Sequence, residues 1–362
     1  MDLTCFAQRY AEARQKFLDA CTANGLAVES HIHPLRGRDR EQLAMDVARL
    51  GAPDAANLLV LSSGCHGVEG FCGSAVQIDR LRDAAWMERC RRDDLAVLFI
   101  HALNPHGFSW LRRVNEDNVD LNRNFLDFTQ PLPDNPGYQR IAHLLLPRRE
   151  PPTLATTLGL IGHALCGRMA LQGAISRGQH SDPRGMFFTG TAPTWSNIIL
   201  RRVLRRHGRE CRRIGWIDVH TGLGPRGFGE RIYKGHDTPL AMRRAKAWWG
   251  DQVTSSLDGS STSAVLDGTQ DHAAMSECGQ AEYNGLTLEY GTLPGLKVLN
   301  ALRADHWLHR NPQASAAQRE RISRQLRDAF YVDADDWKRQ VLEQAREVLE
   351  QTLDGLSTPL PD

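Results

Sequence analysis

Apolar positions recur along the chain at two spacings. Residues 2–23 place Phe6, Tyr10, Ala13, Phe17, Leu18 and Cys21 at helical intervals, and Asn24-Gly25 supplies a stop, so one amphipathic helix is predicted there. The segment "LAVESHIHPL" alternates apolar and polar side chains like an edge strand, whereas "ANLLVLSSG" is a continuous apolar run suited to a strand covered on both faces. A helical pattern follows in "GSAVQIDRLRDAAW". A second buried run, "LAVLFIHALNPHGF", ends in an Asn-Pro turn. Strand, helix, strand in this order predicts a βαβ unit and an α/β sheet.

Further on, the prolines of "QPLPDNPGY" and "LLPRREPP" bracket a short helical piece between about 130 and 160. This reads as an inserted excursion rather than a domain boundary. "RRIGWIDVHTGLGPRG" and "NGLTLEYGTLPG" are two more strands that run into glycine-rich turns. Residues 251–284, rich in Ser, Gly and Asp, read as loops around a short strand, a segment able to line or cover a site. Residues 313–355 carry two helical patterns, the second with Trp337, Val341, Leu342, Ala345, Val348, Leu349 and Leu353 on one stripe. No internal repeat is visible. The expected organisation is a single α/β domain over 1–355, with an insertion at 130–195.

Composition narrows the partners. The 362 residues are 41% hydrophobic and 24% charged, ordinary values for a globular chain. Lys and Arg number 44 against 43 Asp and Glu, so no basic field gathers nucleic acid. The first residues lack a basic segment followed by an apolar core, and no run approaches the roughly 18 apolar residues of a membrane span. A cytoplasmic protein with no membrane partner is expected. Eight scattered cysteines without a Cys-x-x-Cys pair predict reduced thiols.

The candidate chemistry starts at "SSGCHGVEG", where His66 and Glu69 lie three apart in a turn after a strand. The spacing alone is weak, because His207 and Glu210 repeat it in the basic run 201–213, which reads as a solvated helix face. Position adds more: His66 and Glu69 follow one apolar strand, His220 ends another, and Glu289 ends a third. In open α/β sheets, ligands bind beyond the carboxyl ends of the strands, so all four can converge there. A catalytic zinc takes three protein ligands and keeps one position open. Two imidazoles and a carboxylate meet that need, and a second carboxylate is left to move protons. His31 and His33, on one face of an edge strand, read as structural or solvent-facing, and Cys65 as a small buried side chain.

His66-x-x-Glu69, "NPHG" at 104–107, "VDLNRNF" at 119–125, His220 after a strand and Glu289 in "LTLEYG" resemble, in order and spacing, the signature of the zinc carboxypeptidase superfamily. The likeness covers residues 60–290 and points to a distant bacterial peptidase-like branch. It implies a three-layer α/β/α fold with a mixed, mostly parallel twisted sheet and one Zn2+ per chain on His66, Glu69 and His220. It further implies Glu289 as general base and Asp120 as the carboxylate orienting His66. Asn122 and Arg123 would grip a substrate carboxylate. Arg113, or its neighbour Arg112, would stabilise the oxyanion. Tyr283 is the nearest candidate for the family's mobile tyrosine, although it lies only six residues before Glu289. The implied function is a metallopeptidase-type hydrolase that cleaves an amide beside a free carboxylate, in a peptide or a small amidated amino acid. Two alternatives stand beside it: an N-acyl amino acid deacylase of the aspartoacylase/succinylglutamate desuccinylase type, and a catalytically silent zinc or peptide-binding module.

Overall fold

The structure, a computed structural model, describes residues 1–358. Eight strands form one sheet: β1 (Val28–Arg36), β2 (Gln42–Leu50), β3 (Asn57–Ser63), β4 (Leu95–His101), β5 (Arg213–Arg226), β6 (Gly229–Lys234), β7 (Val253–Thr254) and β8 (Glu282–Gly291). Their spatial order is β1-β2-β4-β3-β5-β8-β6-β7. The central β4, β3, β5 and β8 run parallel, while β2 and β6 flank them antiparallel. β1 is an edge strand, as its alternation predicts.

Every residue of β3 and β4 is buried, because helices cover both faces. Leu59, Leu61, Val97 and Phe99 pack on one helical layer with Phe17, Phe71 and Trp337. Leu58, Val60, Leu98 and Ile100 pack on the other with Leu200, Val203 and Leu204. Each such side chain contributes about 1.5–3 kcal/mol of burial, so the apolar runs hold the strands in the middle of three layers. The layering is the expected α/β/α fold.

Four details differ from the sequence expectation. The first helix starts at Tyr10, since the Asp2 side chain accepts from Thr4 N and closes a short separate turn at Leu3–Cys5. The helical pattern after residue 70 is two helices, Gly70–Arg82 and Ala84–Arg89, because the Asp83 carboxylate caps the second by accepting from Ala85 N and Trp86 N. The loop region 251–284 also contains a helix, Asp271–Glu277. The inserted region carries the Pro-bracketed helix Pro136–Leu145 and then the helical segment Leu154–Ser176, which is kinked at Gly167.

The insertion and the C-terminal helices share a satellite core, in which Tyr138, Ile141, Leu160 and Phe187 meet Leu302, Leu326 and Phe330. Val68, from the turn between His66 and Glu69, belongs to the same cluster. The insertion therefore sits over the carboxyl ends of the central strands. Among the described residues, no helix is long and apolar enough to cross a membrane.

Candidate metal centre

The turn after β3 is shaped by two glycines. Gly64 has φ +66°, and a Cβ on Gly67 would lie 2.0 Å from the Gly107 carbonyl carbon. Only glycine lets this turn press against residues 107–113, where Gly67 N and Val68 N donate to Arg113 O and Arg112 O at 3.1 and 3.0 Å. His66 and Glu69 are thereby aimed toward the end of β5. There His220 stands in register with Glu289 on the adjacent parallel strand β8, so the two side chains share a face.

His66 Nδ1 and His220 Nδ1 each lie 2.9 Å from a different oxygen of the Glu69 carboxylate. Outside this trio, His66 Nε2 meets Asp120 Oδ1 at 3.0 Å, and His220 Nε2 meets Asp218 Oδ2. Each imidazole thus points one nitrogen inward and rests the other on a buried carboxylate, the arrangement that fixes tautomer and basicity in metal-ligating histidines. Ser62 Oγ donates to Asp218 at 2.5 Å and accepts from Trp216 Nε1 at 2.7 Å, which anchors the outer carboxylate in the sheet. Donor atoms of His66, Glu69 and His220 all lie within 4.8 Å of one another. Two imidazole nitrogens, one carboxylate and two supporting carboxylates fit a zinc ion.

Cys65, Asp218 and His220 also approach one another within 4.8 Å. Burial first, and then the neighbouring Asp218, push the Cys65 thiol well above its ordinary value.

Charge at the centre is balanced by geometry. Burial alone would raise the Glu69 and Asp120 carboxyls, but His66 and His220 around Glu69, and Arg113 and His66 around Asp120, hold both below the usual carboxylate range. For Glu289, burial dominates and the Glu69 charge adds to it, so its carboxyl is pushed up to about 8. Glu289 Oε1 accepts from Leu223 N at 3.0 Å.

The centre opens into a cavity of about 860 Å³ that His66, Glu69, Arg113, Asn122, Arg123, His220 and Glu289 all line. Arg113 donates from Nε to Asp120 and from Nη1 to Glu69, both at 3.1 Å. Arg123 donates from Nε to Ser176 O and from Nη1 to Asn122 O, each at 2.7 Å, so part of its fork is already held by the insertion. Asn122 Oδ1 accepts from Gln270 N at 3.0 Å.

Two sequence-predicted residues do not reach the cavity. Arg112 is buried and turned away, donating to Asp305 Oδ2 at 3.2 Å and Asn118 Oδ1 at 3.2 Å; it is a structural ion pair. Tyr283 is buried in the core on the Trp216 face and borders a separate small pocket with Trp216 and Asp271, outside the lining of the main cavity. His31, His33 and His207 lie away from the centre: His33 is buried at 3.2 Å from Glu116, His31 is 3.4 Å from Glu29, and His207 sits on a half-buried helix face.

Two further site residues carried a faint sequence signal or none. Asp218 precedes His220 by two on a strand, a spacing that puts both on one face, so "DVH" held the information. Lys234 ends β6 and lines the cavity beside Asn122 and Thr287, and burial pulls its ammonium below the ordinary lysine value. Nothing distinguishes it in the sequence from a solvated strand-end lysine.

Comparison with known proteins places this architecture. The family described as "Protein of unknown function (DUF2817)" matches residues 6–344. The chain belongs to the DUF2817 family. No curated protein matches it. Among solved structures, this DUF2817 chain is similar to bovine thrombin-activatable fibrinolysis inhibitor in complex with tick carboxypeptidase inhibitor, at 13% identity and a TM-score of 0.52, over 97% of both chains. It also matches the carboxypeptidase A of Helicoverpa armigera at 12% identity and a TM-score of 0.46, over 89% of this chain and 74% of that one. At such identity the likeness is one of fold, and the fold of this DUF2817 chain is carboxypeptidase-like.

Proposed function

We propose that the protein is a zinc-dependent hydrolase that cleaves an amide bond beside a free carboxylate. The observation that carries this reading is the inward convergence of His66 Nδ1, His220 Nδ1 and the Glu69 carboxylate, each imidazole backed by an aspartate, with Glu289 in register beside His220. His66, Glu69 and His220 would hold the zinc, which when bound supplies Lewis acidity at the scissile carbonyl. Glu289, fixed through Oε1, takes the proton of the attacking water on Oε2 and returns it to the leaving nitrogen. Burial and the Glu69 charge raise its proton affinity, and a cation held by Glu69 would lower it again toward the range of a base. Arg113 faces the same space and stabilises the developing oxyanion. Arg123, Asn122 and Lys234 offer the cationic and polar contacts for a carboxylate.

A second reading shares the chemistry and changes the substrate to an N-acyl amino acid. It is favoured by the roof that the insertion places over the centre, because an open peptide groove has no need of one. The test of the shared chemistry is turnover by zinc-loaded Glu289→Gln, expected to bind zinc and lose hydrolysis. Full hydrolysis by that variant at saturating zinc would contradict the mechanism. Comparing free with blocked carboxylates on otherwise identical amides tests the carboxylate requirement, which predicts cleavage of the free forms alone.

A further inference from the structure

The cavity is divided by chemistry. Its charged side chains gather at the metal end, and the wall beyond them is aliphatic, with Ile161, Leu171 and Ile175 from the roof helix opposite Leu296, Leu299 and Leu302 from the helix Gly295–Arg310. Among the described residues, the roof contributes no charged side chain to this wall. A peptide running along it would leave backbone N–H and C=O groups with few partners, each at a cost, whereas an alkyl chain has no such groups to satisfy.

The roof helix itself points the same way. Its 23 residues include only His163, Cys166 and Arg168 as ionisable groups, and its apolar residues are not confined to one side. Such a helix is ordinarily buried, yet Leu165, at the cavity rim, is 84% exposed, and Leu158 and Met169 are exposed as well. Apolar surface left uncovered around the mouth of an apolar cavity marks a ligand site. The volume, about 860 Å³, is that of a pocket enclosing a whole small ligand.

We infer that the acyl half of the substrate is a long aliphatic chain, so that the protein cleaves fatty-acyl amides of amino acids. This rests on the amide-hydrolase reading above. Water adds across the bond: the acyl C–N bond breaks, a C–O bond forms at the acyl carbon, and the proton passes through Glu289 to the leaving nitrogen. The products are a fatty acid and a free amino acid, with no oxidant or co-reactant. The alkyl chain lies between the roof and the helix Gly295–Arg310, and the amino acid carboxylate lies toward Arg123.

The experiment compares N-acetyl-, N-butanoyl-, N-octanoyl- and N-dodecanoyl-alanine, with binding measured by calorimetry on zinc-loaded Glu289→Gln and turnover on the zinc-loaded wild type. Affinity is expected to rise roughly two- to fourfold per methylene up to octanoyl. Ala164→Trp, which places a bulky ring on the cavity wall, is expected to shorten the preferred chain, with folding verified by circular dichroism and zinc content. Affinity and turnover that stay flat or fall with chain length in the unmodified wall would overturn the inference. Cleavage of N-acetyl-alanine without a chain-length ladder overturns it and leaves the hydrolase reading standing. A clear ladder with no hydrolysis of any member supports the acyl site and overturns the hydrolase reading instead.

Discussion

The floor and the roof of the cavity are built on opposite principles. On the floor, His66, Glu69, Asp120, Asp218 and His220 are polar, buried and tied to one another by hydrogen bonds that begin in the strands. In the roof, the segment Leu154–Ser176 is rich in apolar residues and packs on the rest of the chain through Leu160, Leu171, Ala174 and Ile175. Arg123 joins the two, because it sits beside Asp120 and donates to Ser176 O at the end of the roof helix. The difference teaches where each property resides: directional bonds on rigid strands fix a reaction geometry, and an apolar cover selects what fits beneath it.

Four measurements break or sharpen that contrast, from the largest expected effect to the smallest. Glu289→Gln should lower kcat by about 10²–10⁴-fold with bound zinc unchanged, as read by steady-state kinetics beside metal analysis. Asp305→Ala removes the partner of buried Arg112, and denaturant unfolding should show a loss of about 3–5 kcal/mol with zinc stoichiometry retained. That result would separate Arg112, a brace between floor and wall, from its neighbour Arg113. Asp218→Asn leaves His220 on a weaker acceptor, and competition with a chelator should show zinc affinity down by about 10–100-fold.

The smallest effect is a pH dependence. Burial pulls His101, on β4, down to about 4, and His306, in the cavity-wall helix, down to about 3. Both are neutral when folded at neutral pH, whereas the unfolded chain takes up these protons from about pH 6.5 downward. The unfolded state then binds more protons, so the stability these groups contribute is complete above about 6.5 and is lost as the pH falls toward their folded values. Urea midpoints should decline from pH 7 to pH 5, and the decline should be shallower in His101→Gln.

The floor was largely legible in the sequence, and the roof was not. β3, β4, β5 and β8 announce themselves as apolar runs, and their ends send His66, Glu69, His220 and Glu289 to one edge of the sheet; that His220 and Glu289 stand side by side follows from the pairing of β5 with β8. β2 hides because Asp46 interrupts its apolar pattern; in the fold Arg14 neutralises Asp46 at 2.7 Å. β6 hides likewise behind buried Glu230 and Arg231, whose partners, such as Thr254 and Glu347, come from elsewhere in the chain. The roof segment shows no single period because its apolar residues are spread around it and its helix is broken at Gly167. Arg112 and Arg113 look alike in sequence, and only the tertiary position of Asp305 sends one away from the cavity. Tyr283 is near Glu289 along the chain, and alternation on β8 puts both on one face, but six residues of strand carry Tyr283 to the opposite end of the sheet, where it packs beside Trp216.

The central claim is that His66, Glu69 and His220 form one zinc site that governs hydrolysis. Metal content of protein purified without added metal, measured beside His66→Ala and His220→Ala, tests it most directly. The account predicts one zinc per chain in the wild type and its loss in both variants. No metal in any of the three proteins, and none taken up on titration with zinc, would contradict it.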